Sequence, residues 1–165
     1  MNIFCANGNN NTERCDIMDR TGSDGDTIKL LKECDSGIQM GISAIDDVID
    51  DVENTEFKAL LRDSKAEHEK LKSEITGLLN QHNDEGKSPN PMAKGMSWIK
   101  TNMKMAMDKD DTTVADLITD GCNMGVKSLS RYLNQYKSAD TKSRDITGRL
   151  VRIEDRLVTD VRQFL

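Results

Sequence analysis

Aromatic side chains are scarce in this sequence, at 4% of its 165 residues, and no run of about 18 apolar residues occurs. The interior must therefore be filled by Ile, Leu, Val and nine Met, which suits packed helices better than sheets. A membrane-spanning helix is not expected. The opening MNIFCANGNNN also lacks the basic start and apolar stretch of a secretory signal. We therefore expect a soluble, cytoplasmic protein.

Basic clusters are absent as well, because Lys and Arg alternate with Asp and Glu along the whole chain. The net charge is -6 and the isoelectric point is near 5.0. Nucleic acids and anionic membranes would be repelled by such a chain. The expected partners are therefore a second copy of the chain or another protein, with no nucleic acid and no membrane.

The four cysteines show neither CxxC spacing nor a paired framework, which argues against a zinc site and a disulfide-linked fold. Cys34 and Cys122 lie on apolar stripes and are expected to pack in the core. Cys5 and Cys15 lie in an Asn/Gly-rich lead segment that has little to bury. A redox or metal role there is the alternative interpretation.

The start of the ordered chain is predicted from where apolar periodicity begins. Residues 1–25 carry no such pattern, so we predict a flexible tail that ends in a helix N-cap at Ser23, Asp24 or Asp26. Residues 26–165 are then predicted to form one domain, since single domains usually have roughly 100 to 200 residues.

Apolar residues recur at steps of three and four in the next two segments, which is the period of a buried helix face. The first stripe consists of Leu31, Cys34, Ile38, Gly41, Ile45, Val48 and Val52, widened by Asp35, Ile42 and Ile49. The second consists of Phe57, Leu61, Ser64, His68, Leu71, Ile75 and Leu78. Only a turn at residues 53–55 separates them, with Asn54 or Thr55 as cap, so we expect antiparallel neighbours.

The segment HNDEGKSPNP, residues 82–91, contains both prolines of the chain and separates two helical hairpins. A shorter helix is predicted after it, within a long crossover. Its apolar side consists of Met92, Met96, Ile99, Met103 and Ala106. We interpret this Met-rich side as core, with a partner-binding face as the alternative. The segment DKDDTT then caps the next long helix.

The second hairpin resembles the first. An offset of 84 residues lays GIQMGISAI, from Gly37, over GCNMGVKSL, from Gly121. An offset of 86 lays HEKLKSEI, from His68, over EDRLVTDV, from Glu154. Two matches at nearly the same offset indicate a duplicated helix pair. The sequence therefore predicts an all-α, antiparallel four-helix bundle with pseudo-twofold symmetry.

This pattern resembles the ferritin-like superfamily, including rubrerythrin-type bundles and their bacterial relatives. The most similar stretch is VENTEFKALLRDSKAEHEKLKSEITGLL, from Val52, with its short turn, apolar helix and central His. The resemblance covers residues 27–165 and implies the ferritin-like fold. Iron-binding members carry Glu-x-x-His pairs, but His68 has Lys65 three positions earlier and Glu154 has Val151. A complete di-iron site, with its ferroxidase or peroxidase chemistry, is therefore not expected.

One polar spot is predicted in the middle of the core. Counting back from the two turns places His68 level with Gly41, and Glu154 close to Gly125. Glycine on a packed seam indicates a need for room, so we hypothesise that His68 and Glu154 approach each other there. The interpretations left open are a structural polar contact, a His68 at the margin of the seam, and a metal or small-ligand site that adds Asp35.

Gly37 and Gly121 are interpreted, like Gly41 and Gly125, as positions where helices approach closely. No catalytic motif is present: two His residues leave no context for a nucleophilic triad. We expect a non-enzymatic ferritin-like binding or assembly module without a cofactor. The alternative is a degenerate metal-binding or oxidoreductase protein that holds iron or another divalent metal at an incomplete carboxylate/histidine site.

Overall fold

The structure is a computed structural model that describes residues 10–82, 84, 102 and 110–165, with side chains from position 23 onward. The long helices are α1 (Asn10–Val48), α2 (Thr55–Gln81), α3 (Asp111–Gln135) and α4 (Thr141–Val161), and a 3₁₀ turn follows at Arg162–Phe164. No strand occurs among the described residues. The prediction of an all-helical chain is confirmed for them.

Several sequence features fall outside the described residues. These are Cys5, the side chain of Cys15, both prolines, and the predicted crossover helix with its Met-rich side. The predicted flexible tail lies outside them for residues 1–9.

The predicted start of the first helix is wrong, because α1 begins at Asn10 and not near residue 23. Asp26, one of the three residues expected to cap α1, and its neighbour Thr27 instead bind the turn between α3 and α4. Asp26 Oδ2 accepts a hydrogen bond from the Ser138 amide at 3.2 Å, and Thr27 Oγ1 accepts one from the Asp140 amide at 2.8 Å. A capping side chain satisfies any nearby unpaired amide, so residue type alone did not locate the helix start.

The other helix starts follow standard capping chemistry. Asn54 Oδ1 accepts from the amides of Glu56 and Phe57, at 2.9 and 3.1 Å, as predicted for the first turn. Asp110 caps α3 at the Thr113 amide, and Asp140 caps α4 at the Ser143 amide.

Side-chain contacts fix the register between helices. Between α1 and α2, Lys65 binds Asp46 at 2.6 Å, and Lys32 at the opposite end of α1 binds Asp84 at 2.6 Å. Between α1 and α4, Cys34 Sγ lies 3.1 Å from Thr147 Oγ1. Asp111 at the start of α3 accepts from the amides of residues 53 and 54, which ties α3 to the first turn.

The apolar core consists of two clusters. The first, near the Asn54 turn, contains Ile45, Val48, Val52, Phe57, Leu61, Val114, Ala115, Ile118, Cys122, Leu157, Val158 and Val161. The second, near the turn between α3 and α4, contains Leu30, Leu31, Cys34, Ile38, Leu71, Ile75, Leu78, Leu79, Leu129, Ala139, Ile146 and Leu150. All seven predicted seam residues of α2 are buried. Along α2 and α4, Ser64, His68 and Glu154 fall between the two clusters and form what we call the polar layer.

Candidate functional site

His68 is the most enclosed ionisable side chain of this polar layer, with 1% of its surface exposed. The i–4 spacing on α2 places its Nδ1 2.8 Å from the carbonyl oxygen of Ser64. A carbonyl oxygen only accepts hydrogen bonds, so Nδ1 must carry a proton and donate it. The tautomer of His68 is therefore fixed by its own helix.

Glu154 meets the other nitrogen of that ring. Its carboxylate, on α4 and 7% exposed, places Oε1 3.1 Å from Nε2 of His68. The structure thus brings together the two residues that the sequence predicted to approach each other. The contact joins α2 to α4 between the two apolar clusters.

The hydrogen bond between His68 and Glu154 requires one proton at the contact. Because Nδ1 is already a donor, a neutral ring would present only a lone pair at Nε2. The contact is then either imidazolium with carboxylate or imidazole with carboxylic acid, and in both cases the pair is neutral overall. Burial favours a neutral pair over a lone charge.

The charged form of His68 is favoured in spite of burial. Burial alone would lower the pKa of the imidazolium, but the hydrogen bond and the charge of Glu154 outweigh it, and the pKa of His68 is raised above 6.5. The Ser64 carbonyl and the negative charge of Glu67 act in the same direction.

Two glycines make room for the pair. A Cβ atom added at Gly41 of α1 would lie 3.1 Å from Nε2 of His68, which is closer than ordinary contact. One added at Gly125 of α3 would lie 3.5 Å from Cδ of Glu154, at ordinary van der Waals distance. The glycines thus admit the polar side chains between helices, as the sequence argument required.

Gly37 and Gly121 serve a different purpose from the one predicted. A Cβ atom at either position would meet nothing within 4 Å, so neither marks a close approach of helices. Both line a cavity between α1 and α3. The prediction that these two glycines mark a close approach of helices is wrong. A glycine can face either a neighbouring helix or empty space, and the residue type alone does not distinguish the two.

The cavity has a volume of about 370 Å³. Its walls are mainly apolar and include Met40, Ala44, Leu117, Ile118, Leu129 and Leu157. His68 and Glu154 form the side that we call its floor, reached between Gly41 and Gly125. A concave apolar space with few polar groups is the usual form of a small-molecule site, and about 300 Å³ or more suffices.

A thiol also lines the cavity beside the pair. Cys122 of α3 lines it and is 7% exposed. Burial, followed by the adjacent Glu154 carboxylate, raises the pKa of this thiol far above 9.0. Cys34, buried against Thr147, has a pKa raised to about 12, mainly by burial. Both thiols are therefore poor nucleophiles at neutral pH, since the thiolate is the reactive form.

Asp35 is not part of the pair. Its carboxylate accepts a hydrogen bond from Gln39 at 2.6 Å, and its pKa is raised by burial. It lies six residues before Gly41, which is about 9 Å of helix rise. Within the ranges that the structure describes, no group of three or more His, Cys, Asp or Glu side chains is arranged to hold a metal ion.

Two residues of the site were assigned to plain packing by the sequence argument. Ser64 was placed on the buried seam, and its spacing of four residues from His68 was the available signal for the carbonyl contact. Cys122 was placed in the core, and only the fold brings it beside Glu154.

No protein family model, no curated protein and no solved structure matches this chain. No described helix is long and apolar enough to cross a bilayer. What the chain does must therefore be argued from the site itself.

Proposed function

We propose that this chain is a non-enzymatic binding module on an antiparallel bundle of ferritin-like type, and that its site is the cavity between α1 and α3. The opposite order of the Asp46–Lys65 and Lys32–Asp84 contacts along α1 and α2 supports the antiparallel arrangement. Asp84, just after α2, contacts Lys32 of α1, whereas Asp111 at the start of α3 contacts the turn at Asn54. The chain between them must therefore span a full helix length, which supports a ferritin-like crossover.

One observation carries this proposal. The buried pair of His68 and Glu154 forms the floor of a mainly apolar cavity of about 370 Å³. Gly37 and Gly121 leave open space that an alanine would partly fill at no steric cost. Glycine inside a helix costs roughly 0.5 to 1 kcal/mol relative to alanine, so four glycines along two helices are unfavourable for stability alone.

The proposal favours binding over catalysis. Both cysteines whose side chains are described have raised pKa values, and the buried pair of His68 and Glu154 is held by hydrogen bonds within the core. A degenerate metal or oxidoreductase site remains a prediction, and no described arrangement of side chains favours it.

The test is to fill the cavity without disturbing its floor. Gly121→Leu places a side chain in open space, and Gly77→Leu makes the same change at an exposed position of α2, where a Cβ atom also meets nothing within 4 Å. The probes are 4-phenylbutanol and 4-phenylbutylamine, which share one apolar body. Binding is followed by two-dimensional NMR of labelled protein.

We expect saturable shifts of residues in the cavity wall for at least one probe. Gly121→Leu should weaken that binding at least tenfold, whereas Gly77→Leu should leave it unchanged. Equal binding by both variants, or no saturable binding of either probe to the unmodified chain, would rule out this cavity as the site.

Self-association also remains a prediction. Met124, at the cavity, and Leu165, at the C-terminus, are 50% and 52% exposed. Light scattering during gel filtration, compared between the unmodified chain and Met124→Glu, measures whether this face joins two copies. A monomeric mass over the working concentration range would contradict assembly through it.

A further inference from the structure

The position of Glu154 on the cavity floor indicates which ligand the cavity takes. We propose that it is an apolar primary amine, and that its ammonium group replaces the proton shared by His68 and Glu154. This inference rests on the proposed function, because it names the chemical class that the same cavity would bind.

The carboxylate faces the space that two glycines leave open. A Cβ atom at Gly41 would lie 3.8 Å from Oε1 of Glu154, and one at Gly125 would lie 3.6 Å from Oε1 and 3.7 Å from Oε2. No side chain of α1 or α3 therefore covers the carboxylate at these two positions. Glu154 and His68 both line the cavity.

The charges around the cavity favour a cation. Of the charged side chains, α1 contributes Glu33, α4 contributes Glu154, and α2 contributes His68. The thiol of Cys122 and the phenol of Tyr132 come from α3. Neither Lys nor Arg lines the described cavity. A carboxylate ligand would bring a second negative charge next to Glu154, which is costly in a buried site.

Proton exchange keeps the site electrically balanced. Before binding, the pair holds one proton and is neutral. An ammonium group that binds Glu154 allows His68 to release its Nε2 proton to solvent, while Nδ1 keeps its hydrogen bond to Ser64. The Nε2 lone pair and the carboxylate then both accept hydrogen bonds from the ammonium. One positive and one negative charge remain, and one proton leaves.

The walls fit an apolar body attached to that amine. Met40 of α1 and Met124 of α3 lie on opposite helices, and methionine side chains adapt to irregular shapes. The cavity of about 370 Å³ has room for a phenylalkyl group.

The experiment uses three probes with one body: 4-phenylbutylamine, 4-phenylbutanol and 4-phenylbutyrate. Isothermal titration calorimetry in two buffers of different ionisation enthalpy gives both affinity and proton release. We expect the amine to bind at least tenfold more tightly than the alcohol near pH 8, and the carboxylate to bind most weakly. At pH 6, about one proton should leave per amine bound.

The pH dependence of the unmodified chain gives an independent readout. Below the pH at which the pair loses its proton, amine affinity should rise about tenfold per pH unit, because each amine displaces one proton. Above that pH the affinity should level off. The alcohol carries no charge and should show no such slope.

Two variants sharpen the assignment. Glu154→Gln keeps the side-chain size but cannot carry the charge, so the preference for amine over alcohol should disappear. Gly125→Ala, a change with room for its Cβ atom, should cover the carboxylate and weaken amine binding several-fold, whereas Gly77→Ala should not.

The possible outcomes distinguish the amine assignment from the proposal that the cavity is a binding site. If the amine and the alcohol bind equally well and no proton is released, the amine assignment is overturned while the binding module stands. If none of the three probes binds saturably, both are overturned. Tighter binding of 4-phenylbutyrate than of 4-phenylbutylamine would also overturn the amine assignment, because the floor of the cavity would then recognise an anion.

Discussion

The polar layer has two halves, and in each of them a glycine of one helix faces a polar side chain of another helix. In one, Gly41 of α1 faces His68 of α2, and in the other, Gly125 of α3 faces Glu154 of α4. The contact is tight at Gly41, at 3.1 Å from an added Cβ atom, and ordinary at Gly125, at 3.5 Å. A rigid ring fixed by its own helix thus needs its glycine more than a flexible carboxylate does.

This difference matches the separate roles that we propose for the two residues. His68 is held at both ring nitrogens, by Ser64 and by Glu154, so its position is fully determined. Glu154 is fixed by contacts to side chains alone and faces the cavity. In our proposal His68 is therefore the anchor of the pair, and Glu154 is the group that would meet a ligand.

The largest expected effect comes from removing one partner. His68→Leu leaves the Glu154 carboxylate buried without its partner and should lower the free energy of unfolding by about 3 kcal/mol. Glu154→Leu leaves only a neutral Nε2 without a partner and should lower it by about 2 kcal/mol. Urea denaturation at pH 7 measures both.

The double variant His68→Leu/Glu154→Leu is the control for that prediction. Replacing a buried ion pair by apolar side chains is often neutral, so its stability should return to within about 1 kcal/mol of the unmodified chain. Additive losses in the double variant would show that the two residues do not act as a pair.

Alanine at each glycine tests the difference between the halves directly. Gly41→Ala presses its Cβ atom on the imidazole and should destabilise the protein by about 1 to 2 kcal/mol. Gly125→Ala has room and should stabilise it by about 0.5 to 1 kcal/mol through helix propensity. Thermal unfolding followed by circular dichroism compares them. Stability changes of the same sign in Gly41→Ala and Gly125→Ala would contradict this difference between the two halves of the layer.

The pH dependence of stability isolates His68. Because its pKa is raised in the folded state, the stabilisation is fully present below the unfolded value of 6.5 and is lost as pH rises through the folded pKa. The free energy of unfolding should therefore decline above pH 6.5. The difference between the unmodified chain and His68→Leu should shrink over that range. A difference that grows with pH would mean that the pKa is lowered.

The smallest expected effect concerns an exposed pair between the same two helices. Arg149 of α4 donates two hydrogen bonds to Glu74 of α2, at 2.6 and 2.8 Å, with both side chains about one-third exposed. A double-mutant cycle with alanine should give a coupling of about 0.5 kcal/mol that weakens in high salt. A coupling as large as that of the buried pair would mean that burial is not what distinguishes the two contacts.

Much of this arrangement could be predicted from the sequence. The heptad-like spacing in α2 identified every buried residue of its seam from Phe57 to Leu78, because a helix buries residues three and four apart. The cap at Asn54, one of two residues predicted for it, followed from the short turn between two apolar stripes. The approach of His68 to Glu154 followed from counting equal distances along antiparallel helices, which placed each residue level with a glycine. These are local or register properties, which a sequence encodes directly.

Other features depend on how whole helices pack. The cavity at Gly37 and Gly121 could not be predicted, because a glycine does not indicate whether a neighbouring helix or empty space lies beyond it. The start of α1 was missed because Asp26 caps a turn more than 100 residues away in sequence. The place of Cys122 beside Glu154 likewise depends on the positions of α3 and α4.

The most direct measurement is ¹⁵N NMR of the imidazole of His68 across a pH titration. We expect Nδ1 to stay protonated wherever the chain is folded, and Nε2 to lose its proton only above pH 6.5, because Glu154 holds it there. A neutral ring at pH 6 with a bare Nδ1 and a protonated Nε2 would contradict the tautomer that the Ser64 carbonyl fixes, and with it the neutral pair.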